Sequence, residues 1–115
     1  MRQMFRVKEN SPHTIVAEGI LSTSTTITLA DTTVLPSAPN IFTIGYDTEN
    51  PEIIYYTSNP VNNVLSNVVR GYNSTTAQSW NANSNVARVF TAYDYESIVT
   101  NVNEILGMQI ALGGW

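Results

Sequence analysis

The side chains that could carry out chemistry are few, and their spacing argues against a catalytic or metal site. His13 is the only histidine, and no carboxylate stands where it would complete a metal ligand pair or a general base with it. We therefore expect His13 on the surface. Asp47, Glu49 and Glu52 cluster around a turn and carry the oxygens that calcium prefers, but the twelve-residue loop with its central glycine is missing. We expect a solvated turn there.

A second acidic pair, Asp94 and Glu96, flanks Tyr95. On a helix these two carboxylates point to different sides and cannot act as a paired acid and base. The chain has no cysteine, which excludes disulfides, thiolate nucleophiles and zinc ribbons. It also lacks the glycine-framed serine of esterases, a phosphate-cradling glycine loop and a zinc-protease helix. The sequence predicts a protein with no catalytic residue, no metal and no cofactor.

The segment RGYNSTTAQSW at 70–80 is compatible with a catalytic loop, a sugar-binding loop or a structural corner. Catalysis, such as that of a small hydrolase, requires a base that the sequence does not supply. In a corner between two strands, Gly71 would provide a positive φ or a close approach. Thr75 and Thr76 would satisfy local backbone groups, and Trp80 would hold the loop to the core. We favour the structural corner.

A sugar-stacking platform is the alternative for the aromatic residues, since flat rings with polar rims suit carbohydrate faces. Tyr55 and Tyr56 are adjacent on a predicted strand, however, so one faces inward and the other outward. Packing within the fold therefore explains the aromatic residues better than a glycan site does. The rings concerned are Tyr46, Tyr55, Tyr56, Tyr72, Trp80 and Tyr93.

Composition narrows the class of protein. The chain has 115 residues, which suits one domain, and 43% of them are hydrophobic while only 12% are charged. The net charge is −4 and the five basic residues form no stripe, so we expect no nucleic-acid partner. No apolar run is long enough for a membrane helix, and the first residues lack the apolar segment of a signal peptide. We expect a soluble protein made in a cytoplasm.

Period-two apolar patterns predict short strands separated by turn residues, and after Phe90 the period changes to that of an amphipathic helix. Thr91 or Asp94 is suited to cap the start of this helix. The predicted fold is mainly β, a small sandwich or barrel of about five or six strands with one C-terminal α-helix. We divide it into an N-terminal arm at 1–13, a β-domain at 14–90, and a helix with an apolar tail at 91–115. The predicted strands are 14–20, 25–29, 41–46, 52–58, 64–70 and 86–90.

The C-terminal segment carries an apolar stripe and an uncharged tail, with no charge after Glu104. Such a surface on a polar protein usually serves a partner. We expect the segment to mediate self-association or docking; the alternative is a helix packed wholly on its own sheet with a frayed end. The stripe comprises Tyr95, Ile98, Val99, Val102, Ile105 and Leu106, and the tail adds Met108, Ile110, Leu112 and Trp115.

Several short motifs occur in an order that resembles a small module of structural proteins from tailed phages and prophages. They are TTITLADTTVLPSAPNIFTIG, PEIIYYTS, VVRGYNSTTAQSW and VARVFTAYDYESIVTNVNEI. In that group a Thr-rich strand leads to an LPSAP-like loop, a strand with a glutamate before apolar residues follows, and an RG…TTA…W segment precedes the last strand. The resemblance covers about residues 22–106.

The resemblance implies a non-enzymatic virion component of the tail, baseplate or fibre-attachment kind, located in the virion and made in the host bacterial cytoplasm. A short adaptor fits the chain better than a receptor-binding tip. The resemblance further implies other virion proteins as partners and a homo-oligomer, with a trimer favoured. A capsid decoration or head-fibre protein and a carbohydrate-binding module that contacts a surface glycan are the alternatives.

Overall fold

In the computed structural model the chain forms seven β-strands, one 3-10 helix and one α-helix, and the structure describes residues 1–111, with side chains to residue 107. The contacts divide it into a β-unit at 6–89 and a helical unit formed by residues 1–5 with the segment from Phe90 onward. The strands are β1 His13–Ile15, β2 Ile27–Thr28, β3 Asn40–Ile44, β4 Glu52–Tyr56, β5 Val64–Leu65, β6 Val69–Tyr72 and β7 Asn85–Ala87. The helices are the 3-10 helix Thr32–Val34 and α1 Ala92–Ala111.

Five strands form one antiparallel sheet in the order β1-β7-β3-β4-β6. β3 and β4 pair along their whole lengths, with Phe42 opposite Ile54 and Ile44 opposite Glu52. Residues that face each other across an antiparallel pair share one face of the sheet. Glu52 therefore points to the same side as the apolar residues Phe42, Ile44 and Ile54.

The second sheet consists of β2 and β5, with Ile27 opposite Leu65. The core cluster joins inward-facing residues of both sheets, as in a β-sandwich. The prediction of a mainly β fold with one C-terminal helix is thus confirmed, with seven short strands instead of five or six. The core comprises Val16, Ile20, Ile27, Leu29, Leu35, Phe42, Ile44, Ile54, Tyr56, Leu65, Val68, Trp80 and Val86.

The predicted strand at 64–70 is in fact two strands that belong to different sheets. Asn67 separates them with a φ of 54°, in the left-handed region that interrupts an extended strand. Val64 and Leu65 pair with β2, whereas Val69 begins the edge strand β6. This change of sheet moves the chain from one layer of the sandwich to the other.

The loop between β2 and β3 contains the 3-10 helix. The Asp31 side chain caps it by accepting a hydrogen bond from the Thr33 backbone N–H at 2.9 Å. The Thr33 hydroxyl and backbone N–H both lower the pKa of Asp31. Further along, the Tyr56 hydroxyl donates to the Pro36 carbonyl. The loop is therefore fixed by local caps and by one buried tyrosine.

The helix α1 starts at a reciprocal cap. The Thr91 backbone N–H donates to Asp94 Oδ2 at 2.8 Å, and the Asp94 backbone N–H lies 3.4 Å from the Thr91 hydroxyl. This is the geometry of a capping box, with aspartate in place of glutamate. Both residues that the sequence suggested as caps take part. In the part of the chain that the structure describes, no helix is long and apolar enough to span a bilayer.

Candidate functional site

Glu52 is a completely buried carboxylate of the β-unit. It opens β4, its side chain is 0% exposed, and it faces the core. Arg70 of β6, whose side chain is 7% exposed, binds it through two parallel hydrogen bonds. Nε donates to Oε2 at 2.7 Å and Nη2 donates to Oε1 at 2.9 Å. This is the bidentate geometry in which arginine and carboxylate interact most strongly.

Three further donors complete the environment of Glu52. The Gly71 backbone N–H binds Oε2 at 3.0 Å, and the Gln78 N–H and Trp80 Nε1–H each bind Oε1 at 3.0 Å. Burial acts to raise the pKa of Glu52, but the hydrogen bonds from Arg70, Trp80, Gly71 and Gln78 outweigh it and lower the pKa. We call these five residues the Glu52 cluster. The Glu52 carboxylate is ionised, and both of its oxygens accept hydrogen bonds from within the protein. This arrangement suits a residue that supports the fold.

Arg70 extends the cluster to a distant part of the chain. Its Nη1 donates to the carbonyls of Leu21 at 2.6 Å and Ser24 at 2.9 Å, and its Nη2 donates to the Gln78 carbonyl at 2.7 Å. One guanidinium therefore joins the segment before β2, the start of β4 and the loop after β6. Buried charges remain ionised only when paired and hydrogen-bonded in this way.

The other loop residues named from the sequence lie around the same cluster. Gly71 has a φ of +58°, and a Cβ there would lie 3.0 Å from the Ala77 nitrogen and the Thr75 oxygen, so the position favours glycine. The Thr75 hydroxyl accepts from the Ile53 N–H at 3.0 Å and donates to the Tyr72 carbonyl at 2.7 Å. Thr76 instead is exposed and lines a pocket.

Trp80 ends the loop inside the core. Its backbone forms two hydrogen bonds with Ile20, at 2.9 and 3.0 Å. Its ring lies against Gly45, which has a φ of +68°, and a Cβ at Gly45 would overlap that ring. The loop is thus held by the tryptophan side chain and backbone together. This arrangement is the structural corner favoured in the sequence analysis.

The acidic residues of the 47–52 turn do not converge. The Asp47 carboxylate accepts a hydrogen bond from the Asn85 side chain at 2.9 Å, and Glu49 is exposed, while Glu52 points into the core. The expectation of a solvated turn is therefore wrong for Glu52. Among the described residues, no three acidic or histidine side chains come together as a metal site would require. His13 is exposed at the start of β1.

An open pocket of about 500 Å³ lies beside this turn. Its wall combines hydroxyl, amide and carboxylate groups with a slightly larger share of apolar atoms. Asn73 and Ser74, at its edge, have φ angles of 51° and 67° and form the tight turn after β6. The pocket is lined by Glu49, Asn50, Pro51, Ser74, Thr75, Thr76 and Gln78.

The six aromatic residues considered above for a sugar-stacking platform do not form one exposed surface. Tyr56 and Trp80 are buried in the core of the β-unit. Tyr55 and Tyr72 stack on each other from neighbouring strands, with ring centroids 5.0 Å apart. Tyr46 is 37% exposed, and Tyr93 stacks on Phe5 within the helical unit at 5.3 Å. Five of the six rings thus pack within the structure, and the Tyr46 ring is partly exposed.

Basic side chains are also used internally. Arg88 is fully buried and donates to the Arg6 carbonyl, the Asn40 side chain and the Val89 carbonyl. Together with Arg70, it places two of the five basic residues inside the β-unit. A row of exposed cations of the kind that binds nucleic-acid phosphates is therefore not formed by these two residues.

The helical unit differs because its apolar stripe is exposed. Six large side chains on one side of α1 are 39–62% exposed, and we call this surface the apolar helix face. Met108 and Ile110 belong to the last part of the helix, where side chains fall outside the description, and Leu112 and Trp115 lie outside the described residues. The face consists of Tyr95, Ile98, Val99, Val102, Ile105 and Leu106.

The opposite side of α1 is covered by residues 1–5. The Arg2 backbone forms two hydrogen bonds with the Asn101 side chain, at 2.8 and 3.1 Å, and its guanidinium lies 4.6 Å from the centre of the Tyr93 ring. The Tyr93 hydroxyl donates to the Gln3 carbonyl at 2.7 Å, and Phe5 is buried. The first residues of the chain thus contact the helix largely through backbone groups, while several of their side chains stay exposed.

The comparisons with known proteins give no family for this arrangement. Neither a scan of protein-family models nor a search of curated proteins finds a match. The functional argument therefore rests on the Glu52 cluster, the pocket beside the 47–52 turn and the apolar helix face.

Proposed function

We propose that the protein is a non-enzymatic structural component of a phage or prophage particle, a tail, baseplate or fibre-attachment adaptor that assembles with itself and other virion proteins. The observation that carries this proposal is the apolar helix face, with six large side chains 39–62% exposed on one side of a single helix. Contiguous apolar surface of this kind is typical of a protein interaction site.

The distribution of polar groups supports an assembly role over catalysis. The segment 70–80, which the sequence left open as a catalytic loop, provides four donor residues to one buried carboxylate. They are Arg70, Gly71, Gln78 and Trp80. A general base requires a free lone pair within reach of substrate. Glu52 instead accepts five hydrogen bonds from within the protein. Its oxygens are therefore used by the fold and not offered to a substrate.

The sequence resemblance to phage structural proteins supports the location. Its separate motifs contain the residues that meet in the Glu52 cluster: the glutamate of PEIIYYTS, the arginine and glycine of VVRGY, and the final tryptophan. Motifs that are distant in sequence thus form one structural unit. A likeness in these motifs is expected to reflect a likeness in fold, and the group that shares them supports the virion assignment.

The test is incorporation into particles. Particles from the strain that encodes the chain are purified by density gradient, and the chain is quantified by mass spectrometry in wild type and in a Val102→Asp variant. Asn103→Asp, which adds the same charge beside the apolar helix face, is the control. We expect incorporation of wild type and control and loss of Val102→Asp. Absence of the wild-type chain from intact particles would refute the proposal.

Chemical cross-linking of the same particles decides between positions in the virion. Links to tail or baseplate proteins support the adaptor role. Links to the major capsid protein would replace it with the alternative role of capsid decoration.

A second candidate function, glycan recognition, is favoured by the pocket beside the 47–52 turn. Its wall presents the exposed groups of Glu49, Asn50, Ser74 and Thr76 within an opening of about 500 Å³. Hydroxyl and carboxylate groups of this kind match the hydrogen-bonding groups of a sugar. A glycan array with wild type and a Thr76→Val variant tests it; signal that depends on Thr76 supports the glycan site, and an array without signal rejects it.

A further inference from the structure

We propose that the pocket beside the 47–52 turn binds a sugar that carries an unsubstituted amine, with Glu49 as the partner of its ammonium group. This inference rests on the second candidate function, glycan recognition, and adds the chemical class of the sugar. It does not depend on the role in the virion.

The walls of the pocket are fixed by hydrogen bonds of the β-unit. The Gln78 side chain donates to the Asn50 carbonyl at 2.7 Å and so joins the loop after β6 to the turn. The Gln78 backbone donates to Glu52 and accepts from Arg70. The Thr75 hydroxyl accepts one backbone hydrogen bond and donates another. A ligand therefore meets a site that is already formed, which reduces the free energy needed to order it.

Three lining residues keep polar groups for a ligand. Glu49, Ser74 and Thr76 are exposed, and in the part of the chain whose side chains the structure describes they form no side-chain hydrogen bond or ion pair. Of the lining residues, only Glu49 is charged. A sugar with a carboxylate or a phosphate would place a like charge beside it, which is unfavourable. A sugar with an ammonium group would instead pair with the Glu49 carboxylate.

The number of acceptors favours an ammonium group over a metal ion. Calcium takes about six to eight oxygen ligands, whereas an ammonium group donates three hydrogen bonds. The Glu49 carboxylate with the hydroxyls of Ser74 and Thr76 can supply three acceptors. The described residues bring no three acidic or histidine side chains together here or elsewhere.

The size and the apolar part of the wall favour a sugar over the lysine side chain of a partner protein. The pocket measures about 500 Å³, within the range of about 300–1,000 Å³ in which proteins enclose whole small molecules. One lysine side chain would fill only a small part of it. Pro51 and the methyl groups of Thr75 and Thr76 offer apolar contacts, and a sugar ring has both C–H groups and hydroxyls to meet such a mixed wall.

NMR titration of the full chain with three disaccharides tests the inference. All are β-1,4-linked and differ only at carbon 2, which carries an amine, a hydroxyl or an acetamide group. The amide signals of Thr76 and Gln78 report binding at the pocket. We expect the amine form to bind about two- to fivefold more tightly than the hydroxyl form, the range that one exposed ion pair supplies. About 0.5 M sodium chloride should reduce this preference. Equal or tighter binding of the hydroxyl form would overturn the inference.

Variants assign the preference to one carboxylate. Glu49→Gln should abolish the preference for the amine and change the affinity for the hydroxyl form by less than about twofold. Glu18→Gln, the same change at another exposed carboxylate of the β-unit, should retain the preference. A preference that survives Glu49→Gln rejects the assignment. Butylamine models a lysine side chain, and binding of butylamine as tight as that of the amine disaccharide would show that the sugar rings contribute nothing and would reject the ligand class.

Failure of this inference and failure of the functions proposed above are separable. Equal binding of the three disaccharides that is lost in Thr76→Val rejects the inference and leaves glycan recognition standing. Unchanged signals with every disaccharide up to about 20 millimolar reject both. Incorporation into particles is measured separately and depends on neither result.

Discussion

Glu52 in the β-unit is completely buried and accepts five hydrogen bonds, whereas Ile98 in the helical unit is an apolar side chain left 39% exposed. The usual placement of charged and apolar residues is reversed in these two regions. In the β-unit, a buried charge is stable because the segment 70–80 supplies all five of its hydrogen bonds. In the helical unit, the exposed apolar face would contribute hydrophobic stabilisation only if another surface covered it. The first region holds the β-unit together, and the second leaves an apolar surface exposed.

The largest expected effect comes from breaking the buried pair. Glu52→Gln keeps the shape of the side chain but removes the charge, leaving the Arg70 guanidinium buried and unpaired. We expect the free energy of unfolding to fall by about 3–5 kcal/mol. Urea unfolding measures it, with Glu49→Gln on the exposed part of the same turn as the control. A loss under about 1 kcal/mol for Glu52→Gln would mean that the pair adds little to the fold.

Two glycines, one in each unit, should respond in opposite ways to replacement by alanine. Gly45→Ala would place a Cβ on the Trp80 ring at a residue with a φ of +68°, and we expect a loss of about 2 kcal/mol or more. Gly107→Ala in α1 meets nothing within 4 Å and should stabilise the helix by up to about 1 kcal/mol. Thermal unfolding of both variants checks this. Equal shifts in the two midpoints would contradict the packing described around Trp80.

Acid should affect the β-unit through the Glu52 cluster. The pKa of Glu52 is below its ordinary value of 4.5 in the folded protein, so its stabilising contribution is present above that value and is lost as the pH falls through the folded pKa. Wild type should therefore lose stability below about pH 4.5 by a component that Glu52→Gln lacks. Urea unfolding from pH 7 to pH 2.5 tests this expectation. Parallel profiles for both proteins would contradict it.

The smallest effect is expected on the helix face. At a concentration where the chain is monomeric, Val102→Asp and Asn103→Asp should unfold the β-unit within about 0.5 kcal/mol of each other, because both positions are exposed. Urea titration followed through the amide NMR signals of β3 and β4 measures this. A much larger loss for Val102→Asp would indicate that its side chain stabilises the single chain.

The fold class was predictable because strand and helix periods are local properties of the sequence. Phe90 marks the change of period, and α1 begins two residues later. The split of 64–70 was not predictable from apolar residues alone, since Val64, Leu65, Val68 and Val69 read as one run. The break depends on the left-handed backbone of Asn67, and asparagine adopts that conformation only in some contexts.

The structural corner was predicted in outline, but its central residue was missed. Glu52 was grouped with the turn acids because it follows them in sequence. A signal was present: Glu52 alternates in phase with Ile54 and Tyr56, so an inward strand face began with a carboxylate that required a buried cation. Arg70, at the end of the predicted strand 64–70, was the next basic residue along the chain and could have been identified as that cation.

The residues of the apolar helix face were predicted from their spacing, but the covering of the other side was not. Residues 1–5 bind α1 largely through backbone groups, such as the Arg2 N–H and C=O and the Gln3 carbonyl. Every residue except proline offers the same backbone groups. The contact between residues 1–5 and α1 therefore could not be predicted from the types of residue involved.

The Glu52 cluster also predicts how this fold should be recognised in divergent proteins. Loss of any one of its charged members leaves the other buried without a partner, so Glu52 and Arg70 are expected to change together or not at all. Their separation of 18 residues, the glycine at 19 and the tryptophan at 28 form a spaced signature set by geometry. Exposed positions and the helix face tolerate exchange without disturbing it. A search for distant relatives should therefore weight this spacing above overall identity.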